Sequence, residues 1–170
     1  MAKAEGKKKG GTGRTKDDER AAAGRAKAGP SKRDLIAGLN EDLSWEFGAV
    51  IAYRLFASLC SGPYRQEMRQ FFEAEIPDEL QHTQFLADKI VALGGHPTTS
   101  VAPVEITTDN RRMFELSLKT ERSAVRRYHE RAAQADALGE TGLRIQLENL
   151  IVDETTHAEE IERFLTNWKR

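Results

Sequence analysis

Cysteine is nearly absent from this chain: Cys60 stands alone among 170 residues. A lone cysteine forms no internal disulfide, and without a CxxC pair there is no zinc ribbon, rubredoxin-type iron centre or thioredoxin-like redox motif. Long apolar runs are missing as well. No stretch approaches the roughly 18 uncharged apolar residues of a membrane span, and no apolar leader opens the chain, so a soluble, cytoplasmic protein with no membrane partner is expected. Residues 1–30 contain no aliphatic side chain larger than alanine after Met1, which denies them a core stripe. They are expected to form a disordered basic tail, with 31–170 as the folded domain.

Acids are scarce at that end too. Residues 1–33 hold eleven Lys and Arg against Glu5, Asp17, Asp18 and Glu19, a net of +7, which leaves −8 for the rest of a chain whose total is −1. A basic arm thus precedes an acidic body. The body has what the arm lacks, apolar residues at three- and four-residue spacing, and 39 % hydrophobic content suffices for one core.

Ser31, with Asp34 three residues on, reads as a helix start, and Leu35, Leu39, Leu43, Val50, Tyr53, Ala57 and Cys60 continue the spacing. Ser61-Gly62-Pro63 stops that helix and starts a second, striped by Phe72, Ile76, Leu86, Ile90 and Leu93. Gly94 to Asp109 opposes a helix with glycines, prolines and β-branched residues, a connection of about fifteen residues. A third helix is predicted from about Asn110 to Leu138 on Phe114, Leu118, Val125, Tyr128, Ala132 and Ala135. A fourth follows the turn at 139–142 on Leu143, Leu147, Leu150, Ile151, Ile161, Phe164, Leu165 and Trp168. The expected fold is all-α, an antiparallel four-helix bundle with a long crossover between its second and third helices. Pro77 lies inside the second helix and predicts a kink or π-bulge beside Glu79.

Acids and histidines interrupt these stripes where core-facing residues are due: Glu46 on the first helix, Glu79 and His82 on the second, Glu121 on the third, Glu154 and His157 on the fourth. An ionised carboxylate buried without a partner costs several kcal/mol, and no Lys or Arg falls on the stripes at that level. Two metal ions would supply the missing charge. A Glu from each of two helices plus Glu-x-x-His from each of the other two is the ligand set of di-iron and di-manganese bundles. The i, i+3 spacing puts each Glu and His on one helix face, within reach of one ion. Mixed imidazole and carboxylate donors suit iron or manganese better than calcium, and no thiolate is offered to a structural zinc.

A shift of 75 residues carries Glu46 onto Glu121, Tyr53 onto Tyr128, Glu79 onto Glu154 and His82 onto His157, so the halves are related by a pseudo-two-fold. Asp78 and Asp153 each precede a candidate ligand glutamate and are placed to accept the N–H of the histidine from the opposite motif. Tyr53 and Tyr128 are placed to hydrogen-bond ligand carboxylates or donate an electron. Cys60, His96 and His129 fall in no ligand pattern, and Glu75 is either an entry ligand or a solvated helix-face acid.

Inward Glu46, DELQH at 78–82, inward Glu121 and DETTH at 153–157 resemble the ferritin superfamily, above all its bacterioferritin-like branch, over roughly 35–168. The resemblance implies a ferroxidase that oxidises Fe(II) to Fe(III) with O₂ or H₂O₂ for iron storage or detoxification. Glu79 and Glu154 would bridge the two ions, Glu46 and Glu121 would be terminal, and each histidine would hold one ion. Leu80 stands where haem-bearing bacterioferritins place the axial methionine, so no haem is expected. Sixteen residues follow Glu154, too few for a fifth helix, which leaves a dimer building block with a 12-mer or 24-mer cage as the expected homo-oligomer. Ala124 stands where rubrerythrins carry an additional glutamate.

Two other functions fit the same residues: a dimeric di-iron or di-manganese peroxidase, catalase or oxidase, and a Dps-like iron-binding protein that protects DNA through its basic arm. The arm disperses its Lys and Arg among Gly and acids and carries no aromatics, which favours a solvated tail over a DNA contact. Deleting residues 1–30 is therefore expected to leave retention of DNA at low salt unchanged in a mobility-shift assay; loss of retention would make the arm a nucleic-acid contact.

Overall fold

A computed structural model describes residues 29–166 and 168 of the chain. The basic tail expected at 1–30 lies almost wholly outside the described residues. Four helices follow: α1 Lys32–Leu59, α2 Arg65–Ala92, α3 Asn110–Ala137 and α4 Thr141–Leu165. There is no strand among the described residues, and no described helix is long and apolar enough to cross a membrane.

Each helix starts and stops for a local reason. Ser31 caps α1 in a capping box: its hydroxyl accepts from the Asp34 N–H at 3.2 Å while the Asp34 carboxylate accepts from the Ser31 N–H at 2.9 Å. Asp109 caps α3, accepting from the Arg112 N–H at 3.0 Å. Gly94 and Gly139 follow α2 and α3 at φ 81° and 75°, a left-handed turn that glycine enters without a Cβ clash. The helix α2 runs through Pro77 as an unbroken α-helix, so the expected π-bulge does not form there.

Short turns make α1–α2 and α3–α4 antiparallel pairs, and α1 also packs on α3. The segment from Leu93 to Asp109 runs back along α1. Thr98 N–H donates to Asn40 Oδ1 at 2.6 Å, Ala102 N–H to Ser44 O at 2.9 Å, and Ser61 N–H to Asn110 Oδ1 at 3.1 Å. The connection therefore spans the bundle and starts α3 beside the end of α1, which is the long crossover read from the sequence. Gly48 admits it closely, since a Cβ there would sit 3.4 Å from Ala102 O.

Two apolar clusters fill the interior. Leu35, Leu39, Leu43, Leu86, Ile90 and Leu147 form one; Phe56, Phe72, Ile76, Met113, Phe114 and Ile161 form the other. Phe72 stacks within 6.1 Å of Tyr53, Phe56, Phe71 and Phe114. The predicted stripes are inside apart from Val50, Leu118, Val125, Ile151, Leu165 and Trp168, which are half-buried, and Phe164, which is exposed at the rim. Between the clusters lies a polar layer.

Beside that layer sits a buried ion group. Arg131 Nε donates to Asp42 at 2.9 Å, and the Arg127 guanidinium lies 3.3 Å from the other Asp42 oxygen. Asp42 is fully buried, and burial raises its carboxyl to about 6 against the pull of Arg131 and Arg127. The Arg131 guanidinium occupies the space a side chain at Gly38 would need, since a Cβ there would lie 2.3 Å from Arg131 Cζ. Helix propensity alone favours Gly38→Ala by about 1 kcal/mol. Displacing a buried guanidinium from Asp42 costs more, so Gly38→Ala is expected to lower stability by roughly 1–3 kcal/mol in urea unfolding; a gain would show that the Arg131 contact is dispensable.

Candidate metal centre

The polar layer contains the six side chains singled out by the sequence. Glu46 and Glu121 come from the facing helices α1 and α3, Glu79 and His82 from α2, Glu154 and His157 from α4. All six are at most 8 % exposed. They form two groups of four whose donor atoms lie within 4.8 Å of one another: Glu46, Glu79, His82 and Glu154, and Glu79, Glu121, Glu154 and His157. Glu79 and Glu154 belong to both groups.

The second ring of residues follows the pseudo-two-fold. Tyr128 Oη donates to Glu46 at 2.7 Å, and Tyr53 Oη donates to Glu121, so each tyrosine serves the carboxylate of the other half. His82 Nε2 lies 3.9 Å from Asp153 and His157 Nε2 3.7 Å from Asp78, again across the halves. Both aspartates are about half exposed, at the mouth of the site. Cys60 is remote, its thiol directed to backbone carbonyls of Ala57 and Arg65, and His96 and His129 are exposed.

Three residues near the layer were not singled out by the sequence reading. Asp42, one turn before Glu46, faces inward, and Arg127 and Arg131 reach it from α3. The expectation that no Lys or Arg stands at this level needs correction: the Arg127 guanidinium lies 3.7 Å from Glu46 Oε1. Its Cα is off the stripe, but a long side chain reaches the layer from there. Glu75 is also inside, at 6 % exposure, with its carboxylate 3.5 Å from His157 Nε2.

One guanidinium shared by Asp42 and Glu46 does not balance the layer. Burial and the neighbouring carboxylates hold Glu79 and Glu121 well above the usual carboxylate range. Burial works against His82 and His157 charging, but the facing carboxylates, Glu154 first among them, override it and raise both. Burial likewise opposes ionisation of Glu154, yet His157 and His82 hold it down at about 2. The metal-free layer is thus neutralised by protons. The arrangement leaves orphans: both Glu79 oxygens are buried without a hydrogen-bond partner, while His82 Nδ1 and Glu154 Oε1 face each other at 3.1 Å without hydrogen-bond geometry. Buried lone pairs that converge without donors are what a cation satisfies, so the donor set fits a pair of divalent ions.

The family model for ferritin-like domains matches residues 36–170. The chain belongs to the ferritin-like family. Within it, a ferritin-like, diiron-carboxylate protein of Bacillus anthracis is 45 % identical, covering 79 % of this chain and 97 % of that one with a TM-score of 0.78. Bacterioferritin BfrA of Mycobacterium tuberculosis is 26 % identical over 130 residues, 76 % of this chain and 82 % of the relative. The fold is also that of a dodecameric thioferritin of Bacteroides fragilis, at 24 % identity and a TM-score of 0.73 over 88 % of this chain and 93 % of that one.

Because Glu79 carries two orphaned oxygens in the ferritin-like core, Glu79→Met is expected to stabilise the metal-free protein by about 1–3 kcal/mol in urea unfolding. The same change is expected to abolish any rise in Tm on adding Co(II); a variant less stable than the parent would mean that Glu79 is already satisfied.

Proposed function

We propose that this ferritin-like protein is a ferroxidase, with Fe(II) as substrate and O₂ or H₂O₂ as oxidant, serving iron storage or detoxification in the cytoplasm. The observation that carries the reading is the pair of interlocked four-residue groups sharing Glu79 and Glu154. In this reading Glu79 and Glu154, which belong to both groups, would be shared by the two irons. Glu46 and His82 complete one position, and Glu121 and His157 the other. Two Fe(II) together supply the two electrons that take H₂O₂ to water or O₂ to H₂O₂. Iron is the metal proposed, since the donor set suits it and the similar Bacillus anthracis protein is described as diiron-carboxylate; manganese would bind the same donors.

The chain's own residues do the rest. Tyr128 and Tyr53 hold Glu46 and Glu121 by hydrogen bonds, fixing each carboxylate in place before iron arrives. Asp153 and Asp78 orient the outer nitrogens of His82 and His157, which turns the Nδ1 atoms towards the layer. Protons held on Glu79 and Glu121 leave as cations enter, because a ligand carboxylate must be ionised. A cage or other homo-oligomer would provide the cavity that storage needs, and Leu80, half exposed on α2, offers no thioether to a haem.

Apoprotein given Fe(II) in air is expected to oxidise several irons per chain and keep them in solution. Glu79→Ala with Glu154→Ala is expected to slow the initial oxidation by at least about a hundredfold, a ligand-loss effect. Uptake that stops at two irons per chain would remove storage while leaving the redox reading, and an unaffected double variant would remove the site.

A further inference from the structure

The ferroxidase reading treats the two iron positions as equivalents under the pseudo-two-fold, but the seam between α1 and α3 is built differently on its two sides. Beside Glu46, the Arg127 guanidinium is 3.7 Å from the carboxylate, 3.3 Å from Asp42 and 5.2 Å from the Trp45 ring centre. Arg131 completes the group from the far side of Asp42. Arg131 also lies 3.9 Å from the exposed Glu41 and 3.8 Å from the exposed Glu130, so Arg127 is the buried cation that stands next to Glu46. The 75-residue shift replaces Arg127 by Ala52, Arg131 by Phe56 and Asp42 by Ser117. Among the described residues no Lys or Arg pairs with Glu121.

What fills the seam on one side is space on the other. A cavity of about 420 Å³ lies between α1, α3 and the crossover, walled by Ala52, Phe56 and Ser117, and it reaches Tyr53 and Glu121. Ser117 Oγ is buried there with no hydrogen-bond partner. A second departure from symmetry has the same sign. Glu75 places a buried carboxylate 3.5 Å from His157, whereas the equivalent position beside His82 is Leu150.

We propose that Arg127 makes the two metal positions unequal, so that the ion held by Glu79, Glu121, Glu154 and His157 binds first and more tightly than the one held by Glu46, Glu79, His82 and Glu154. The proposal rests on the di-metal reading above. Its physical cause is like-charge repulsion. A divalent ion on Glu46 faces a guanidinium across the same carboxylate, in a water-poor layer where screening is weak. On the Glu121 side no described Lys or Arg pairs with the carboxylate, the exposed Lys119 of the cavity wall making no ion pair with it, and Glu75 adds a buried carboxylate.

Anaerobic titration of the full chain with Co(II), followed by the visible absorption of the bound ion, tests this. The parent is expected to take up two ions in steps separated by about tenfold or more in affinity. Arg127→Met is expected to tighten the second step until the gap falls below about threefold, while Arg127→Lys, which keeps the charge, preserves it. Glu121→Gln should remove the first step and Glu46→Gln the second, which fixes the order even where Arg127→Met fails to fold. A single unresolved step in the parent, an unchanged gap in Arg127→Met, an equal collapse in Arg127→Lys, or the reverse order in the glutamine variants would each overturn the proposal. A chain that takes up no Co(II) at all would remove the di-metal reading itself.

Discussion

The structure turns on the cost of keeping four glutamates and two histidines in the middle of an apolar bundle. Hydrophobic clusters above and below the layer exclude water from it, so each carboxylate must find a proton, a donor or a cation. Without metal the layer uses protons, shared between raised carboxylates and raised imidazoles, and still leaves buried oxygens unpaired. A sequence selected for stability alone would fill this layer with leucine. The rest of the fold keeps the layer in register: four helices of about equal length, closed by short turns, with a crossover that locks α1 along its length.

The internal repeat explains how so many candidate ligands are positioned with few independent devices. Each half contributes a carboxylate from one helix and a Glu-x-x-His from the next, and each depends on the other half for support. Tyr53 and Tyr128 hold carboxylates across the pseudo-two-fold, and Asp78 and Asp153 face the opposite histidines. Such reciprocity couples the halves, since neither tyrosine can move without releasing a carboxylate on the partner helix pair. One departure from symmetry lies on the α1–α3 seam, where Arg127, Asp42 and Arg131 replace what is a cavity on the other side, and Glu75 beside His157 is a second.

Much of this was legible in the sequence because it is written in spacing. Three-and-four periodicity located the helices to within a residue or two at α3, and the Ser31–Asp34 box marked the start of α1. The inward acids stood out because they interrupt apolar stripes, and the 75-residue repeat assigned them partners. What was not legible depends on reach rather than register. Arg127 lies one residue from Tyr128 and off the stripe, and only the folded packing of α3 on α1 brings its guanidinium to Glu46. Asp42 could have been noticed as an acid one turn before Glu46, but its meaning comes from Arg131 lying in the space opened by Gly38. At Pro77 the missing hydrogen bond suggested a kink or a π-bulge; α2 continues through it as α-helix, so no π-bulge forms.

Everything proposed for this chain requires two divalent ions inside one subunit, between Glu79 and Glu154. Crystals soaked anaerobically with Fe(II) and measured on either side of the iron absorption edge test it most directly. Two anomalous peaks are expected in each subunit, one bounded by Glu46 and His82, the other by Glu121 and His157, with Glu79 and Glu154 touching both. Peaks confined to the surface carboxylates, or lying between subunits with the buried layer empty, would contradict it.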